Sequence, residues 1–97
     1  MKEITPEKIQ KYLETTKKAL SRVMLNNNLD ADNKRIADEF LDMAQRYYKD
    51  AEFYKKKDDF VTAFAAVNYA HGWIDAGVRA GLLIAPKGTE DFIMPKE

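Results

Sequence analysis

Apolar residues recur every three or four positions in three successive stretches of the chain, which is the period of an amphipathic α-helix. The first stretch follows Thr5 and Pro6, which suit a helix N-cap and first helical position, and it stops at the turn-forming run Asn26–Asn28. Acidic caps are available for the other two stretches, at Asp30 or Asp32 and at Asp58 or Asp59. We predict helices near residues 6–25, 31–57 and 59–83, and a tail over residues 86–97.

The lengths of the connections determine how these helices are arranged. The second and third helices are separated only by a short charged turn without Gly or Pro, so they should be antiparallel neighbours. We therefore predict an all-α fold: one domain over residues 1–97, built as a three-helix up-and-down antiparallel bundle with a short extended C-terminal tail. Within that tail, residues 92–94 form an apolar triplet that could fold back onto the bundle.

The third helix is the least charged part of the chain, and its residues sort into distinct faces. At about 100° per residue, four polar side chains fall within about 80° of one another and form a single row, namely Asn68, His71, Asp75 and Arg79. Small residues occupy another side and predict unusually close helix packing, at Ala63, Ala66, Ala70, Gly77 and Gly81. Because Gly costs roughly 1 kcal/mol relative to Ala inside a helix, Gly72, Gly77 and Gly81 need a compensating reason. Close backbone packing is one such reason, and close approach of a ligand or partner is the other.

Two neighbouring helices do not cover every face of a helix this apolar. The remaining face needs the tail, a second copy of the chain or another protein. We therefore expect a homodimer or a protein partner. The candidate ligand or partner surface is Asn68, His71, Gly72, Asp75 and Arg79.

Composition narrows the classes of function. The 97 residues carry 16 basic and 16 acidic side chains, and this zero formal charge argues against binding nucleic acid or an anionic membrane. The weak nucleic-acid alternative rests on Lys17, Lys18, Arg22 and Lys55–Lys57. Cys is absent and no secretory signal precedes the first helix, so we expect a cytoplasmic protein with no membrane association.

The candidate chemistry is limited. His71 and Asp75 are one helical turn apart and can hydrogen-bond as an acid–base pair, but the pattern favours a satisfied polar seam between helices or a partner contact over catalysis. One His without Cys does not complete a zinc or di-iron site, and Asp38, Glu39 and Asp42 lie on a charged outer face. We expect no metal, no cofactor and no assigned catalytic residue. A small-ligand or hydrolytic site around the polar row stays open as the alternative.

Two resemblances follow from residues 44–83. The run YAHGWIDAG at 69–77, preceded by Asp59-Phe60 and by alanines at 63 and 66, resembles the archaeal domain-of-unknown-function 357 family. That resemblance implies a short cytosolic archaeal protein, a three-helix up-and-down bundle and no established activity. Spacings in the same region are similar to those of a single tetratricopeptide helix pair, which favours protein interaction. The leading hypothesis is a small non-enzymatic interaction or self-association module.

Overall fold

A computed structural model describes residues 3–94. The elements, in chain order, are α1 (Pro6–Arg22), β1 (Met24–Leu25), α2 (Ala31–Lys56), α3 (Phe60–Arg79), β2 (Leu83–Ile84) and α4 (Glu90–Ile93). The three long helices pack against one another, so the predicted all-α bundle is confirmed. The last three residues of the predicted tail lie outside the described residues.

Side-chain caps begin each long helix. The side chains of Thr5, Asp30 and Asp59 each accept a hydrogen bond from the backbone N–H three residues later, at 3.1, 2.8 and 3.1 Å. The sharp turn between α2 and α3 places Asp58 at a φ of 60°, a left-handed conformation that Asp tolerates better than most residues. This turn explains how two antiparallel helices connect without glycine.

Small buried residues form the seam between α2 and α3. Each helix contributes three of them at seven-residue intervals: Ala37, Ala44 and Ala51 on α2, and Ala63, Ala70 and Gly77 on α3. Because the helices are antiparallel about a short turn, Ala51 lies level with Ala63 and Ala44 with Ala70. A seven-residue repeat keeps one seam facing the partner helix, and side chains this small let the two backbones approach closely.

The larger apolar side chains fill the two ends of the bundle. Near the α2–α3 turn, Ile9 and Leu13 of α1 pack with Val67 of α3. At the other end, Ile74 packs with Ala19 and with Ile93, which is fully buried. The C-terminal segment is therefore part of the core.

The C-terminal ends of α1 and α3 differ from the prediction. Helix α1 ends three residues early, because the chain from Val23 becomes extended and Met24–Leu25 pairs with Leu83–Ile84. Helix α3 ends four residues early, at Arg79.

The early end of α3 is caused by Gly81, whose φ is +78°. Its N–H donates to the carbonyl of Val78 at 3.1 Å, and the N–H of Leu82 donates to the carbonyl of Gly77 at 2.9 Å. This is the Schellman arrangement that commonly terminates a helix. Gly81 is exposed and serves as a helix stop; the close helix packing expected at this residue is not what the structure shows.

The tail also differs from the extended segment that was predicted. It turns at Gly88, forms the single helical turn of α4, and buries Thr89 and Ile93. Lys18 of α1 covers the ring of Phe92, with its Nζ 4.4 Å from the ring centroid. These contacts hold the segment against α1 and α3.

Candidate functional site

The polar row of α3 is divided between different neighbours. His71 does not bond Asp75 in the structure: Nδ1 lies 3.0 Å from the hydroxyl of Thr16, and Nε2 lies 3.0 Å from the backbone carbonyl of Ile93. A carbonyl only accepts, so Nε2 carries the hydrogen and, in the neutral ring, Nδ1 accepts from Thr16. His71 therefore ties α1, α3 and α4 together.

The other members of the row lie nearer to solvent. Asp75 and Arg79 form an ion pair one helical turn apart, with 29% and 63% of their side chains exposed. Asn68 is exposed and stands between two depressions of the surface, one on each side of α3. Consequently the row does not converge on one site.

The first depression is a cleft of about 350 Å³ between α1 and α3. Its lining residues are Lys8, Lys11, Tyr12, Thr15, Thr16, Asn68 and His71. Among these there is no carboxylate, and both ring nitrogens of His71 are already bonded. A hydrolytic site needs a free general base within reach of water or substrate, and this cleft does not offer one.

The second depression is a larger groove of about 610 Å³ between α2 and α3, which we call the α2–α3 groove. It is lined by Phe40, Tyr47, Ala65, Asn68, Tyr69, Gly72, Trp73 and Ala76. All but Asn68 are apolar or aromatic. The groove therefore suits an apolar surface better than a charged small molecule.

Two aromatic pairs form one wall of the groove. Tyr69 stacks on Tyr47, with ring centroids 5.3 Å apart and an interplanar angle of 24°. Phe40 meets Trp73 edge to face, at 4.9 Å and 88°. Tyr69 nevertheless keeps 62% of its surface exposed, so a large aromatic ring faces solvent at the groove.

Gly72 forms the outer surface of α3 beside these rings. Apart from the adjoining turns of its own helix, a Cβ at this residue would have no atom within 4 Å, whereas a Cβ at Gly77 would lie 2.6 Å from Cδ1 of Leu83. Packing within the chain therefore explains glycine at position 77. It does not explain glycine at position 72, where the helix still bears a cost of roughly 1 kcal/mol relative to Ala.

Sequence reasoning included Gly72 and Asn68 among the candidates and missed the rest of the groove. Phe40 and Tyr47 follow the apolar period of α2, which predicts core positions, yet they lie half-buried at the edge of the core. A usable signal was present on α3: Ala65, Tyr69, Gly72 and Ala76 follow a four-three-four spacing that places them on one line.

Three of the six basic residues on which the nucleic-acid alternative rests lie beside acidic residues. A third cleft, between α1 and α2, combines Lys17, Lys55 and Lys56 with two acids, Glu14 and Glu52. Burial, and secondarily the carboxylate of Glu52, raises the pKa of Tyr48 in this cleft. Mixed charges of this kind favour a solvated surface over phosphate binding.

Other classes of site receive little support within the described chain. Across residues 3–94, no three His, Asp or Glu side chains gather in a way that could hold a metal ion. None of the helices in this range has the length and apolar content needed to cross a membrane.

The fold and the site define a small helical bundle with an anchored C-terminal segment and one open aromatic groove. The chain belongs to the family described as "Protein of unknown function (DUF357)", whose model matches residues 11–83. Comparisons with curated proteins and with solved structures found no match. The matched region contains both helices of the groove and ends before α4.

Proposed function

We propose that this protein is a non-enzymatic interaction module whose α2–α3 groove receives an amphipathic α-helix of a protein partner. The observation that carries the proposal is the exposed ring of Tyr69 beside the open backbone of Gly72. Apolar surface left exposed in this arrangement commonly marks a site of protein interaction. Burying Tyr69 would remove that surface from water, with about 25 cal/mol gained for each Å² of apolar area.

The shape of the groove favours a helix as the occupant. Two antiparallel helices leave between them a furrow that a further helix can fill, as in four-helix bundles. The line through Ala65, Tyr69, Gly72 and Ala76 has the spacing with which one helix meets another. Its small residues allow close approach, while the aromatic wall offers area for hydrophobic contact.

The chemistry of the surrounding side chains supports binding over catalysis. His71 is engaged by Thr16 and Ile93, and the ion pair of Asp75 and Arg79 faces solvent. We also propose that the protein works in the cytoplasm, which agrees with a sequence free of Cys.

Photo-crosslinking in the native cells tests this proposal. A photoreactive amino acid replaces Ala65, which lines the groove, and in a control variant it replaces Gln45, an exposed residue of α2 outside it. We expect a discrete protein adduct from position 65 that is absent from position 45 and disappears when Gly72→Leu blocks the groove. Equal labelling from both positions, or no adduct from position 65, would overturn the proposal.

A further inference from the structure

We infer that the helix received by the α2–α3 groove is α3 of a second copy of this chain, packed antiparallel about a twofold axis. This inference rests on the proposed function and names the partner. The axis passes over α3 midway between Ala70 and His71. In such a pair the same surface of each copy fills the groove of the other, so the assembly closes as a dimer.

The exposed line of α3 is complementary to itself in this orientation. Reversing the helix about the axis places Tyr69 opposite the partner's Gly72, and Ala65 opposite the partner's Ala76. The largest residue of the line thus meets the only position that lacks a Cβ, and the two alanines meet each other. A parallel pair would place Tyr69 against the partner's Tyr69, which leaves the glycines facing an empty space.

This pairing supplies the reason for Gly72 that packing within one chain does not. Apart from the adjoining turns of its own helix, nothing in the same chain would lie within 4 Å of a Cβ at this position, and the ring of Tyr69 from a second copy would need that space. Glycine costs each helix roughly 1 kcal/mol, and in the dimer each Gly72 would be offset by the contact that it allows with Tyr69 of the other copy.

The helix dipole of α3 also favours the antiparallel orientation. Asp58 and Asp59 precede α3, Arg79 is its last residue, and all three are exposed. Arg79 is already paired with Asp75, and Lys55–Lys57 directly precede the two acids, so these charges do not select an orientation. Antiparallel pairing does align opposite ends of the helix dipoles. The zero formal charge of the chain adds no net repulsion between copies.

A helix from a different protein would not be expected to reproduce this symmetry. The groove would accept the apolar face of such a helix, but the match of Tyr69 to Gly72 on one helix would then serve no purpose. The symmetry of the exposed line is therefore what selects a second copy as the partner.

Disulfide crosslinking tests the orientation cleanly, because the chain has no Cys of its own. The variants Ala65→Cys and Ala76→Cys are purified separately, one carrying an affinity tag, and then oxidised alone and as a mixture. Positions 65 and 76 are about 16 Å apart along the helix, and a disulfide bridges Cα atoms up to about 7 Å apart. We expect a crosslink only between the unlike variants. Crosslinking of like variants at equal yield would overturn the antiparallel pairing.

Sedimentation equilibrium tests the association itself. We expect the unmodified chain and the Gln45→Leu control to form a concentration-dependent dimer. Gly72→Leu should be monomeric with unchanged helical circular dichroism, since the structure leaves room for its side chain in the monomer. Emission from Trp73, the sole Trp and a groove residue, should shift as the dimer dissociates on dilution.

A chain that remains monomeric at millimolar concentration overturns the second-copy inference. Photo-crosslinking from position 65 then distinguishes failure of the dimer from failure of the interaction module as a whole. An adduct with a different protein, blocked by Gly72→Leu, would leave the interaction module standing, whereas the absence of any adduct would remove both.

Discussion

The two glycines within α3 should respond in opposite ways to the same substitution. Gly72→Ala places a methyl group in open space, so only the intrinsic preference of the helix changes, and the free energy of unfolding should rise by about 1 kcal/mol. Gly77→Ala gains the same preference but drives its Cβ to 2.6 Å from Cδ1 of Leu83, which is 2% exposed. Overpacking of this kind typically costs about 1–3 kcal/mol.

The net effect at position 77 should therefore lie between about zero and 2 kcal/mol of destabilisation, some 1–3 kcal/mol below the Gly72→Ala variant. Urea denaturation followed by circular dichroism measures the difference, at a protein concentration where the chain is monomeric by sedimentation. With an m value of about 1 kcal/mol per molar urea, each kcal/mol shifts the midpoint by about 1 M.

A double-mutant cycle identifies the cause. In the background of Leu83→Ala the obstructing side chain is gone, so Gly77→Ala should become stabilising by about 1 kcal/mol, as it is at position 72. If Gly77→Ala in the unmodified chain is as stabilising as Gly72→Ala, close approach of Leu83 is not the reason for glycine at this position.

Three further changes separate the roles of the remaining polar groups. His71→Leu removes the hydrogen bond to Ile93, and a bond of this kind contributes about 0.5–1.5 kcal/mol, so amide hydrogen exchange should accelerate more in residues 85–94 than in the α2–α3 seam. Equal acceleration in both regions would contradict the anchoring role of His71. Asp75→Asn breaks only a solvent-facing ion pair with Arg79, so the free energy of unfolding measured by thermal denaturation should change by less than about 0.5 kcal/mol, and by less still at high salt. Hydrogen bonds from Thr62 lower the pKa of Asp59 below its usual 3.8, so Asp59→Ala should lower the free energy of unfolding at neutral pH, and this loss should shrink as the pH falls through the lowered pKa. A loss of stability that does not change with pH would refute the role of the Asp59 carboxylate as a helix cap.

The long helices could be predicted from the sequence because each carries its own signals. Apolar residues repeat at the helical period, and the cap residues Thr5, Asp30 and Asp59 stand where that period begins. The β1–β2 pair and α4 could not be predicted in this way. Elements of two and four residues are too short to show a period, and their pairing depends on segments far apart in the chain.

The candidate site could be predicted only in part, for a similar reason. The helical period places Asn68, His71, Asp75 and Arg79 on one side of α3, but the hydrogen-bond partners of His71 lie 55 and 22 residues away in the sequence. No local pattern indicates which distant hydroxyl or carbonyl will meet an imidazole. The period of α2 also does not distinguish an aromatic residue in the core from one at its edge, such as the half-buried Tyr47.

Contacts within one chain account for most of the run YAHGWIDAG, and the residues that they leave unexplained point to the groove. His71 holds α4, Ile74 is fully buried in the core, and Gly77 admits Leu83. Contacts within the chain explain Tyr69 and Gly72 less fully: Tyr69 stacks on Tyr47 but keeps 62% of its surface exposed, and Gly72 weakens the helix without relieving any contact. They lie about one turn apart on the same exposed line of α3, where it borders the α2–α3 groove. In the antiparallel dimer proposed above, the exposed part of Tyr69 would be buried against Gly72 of the second copy, which would account for both residues.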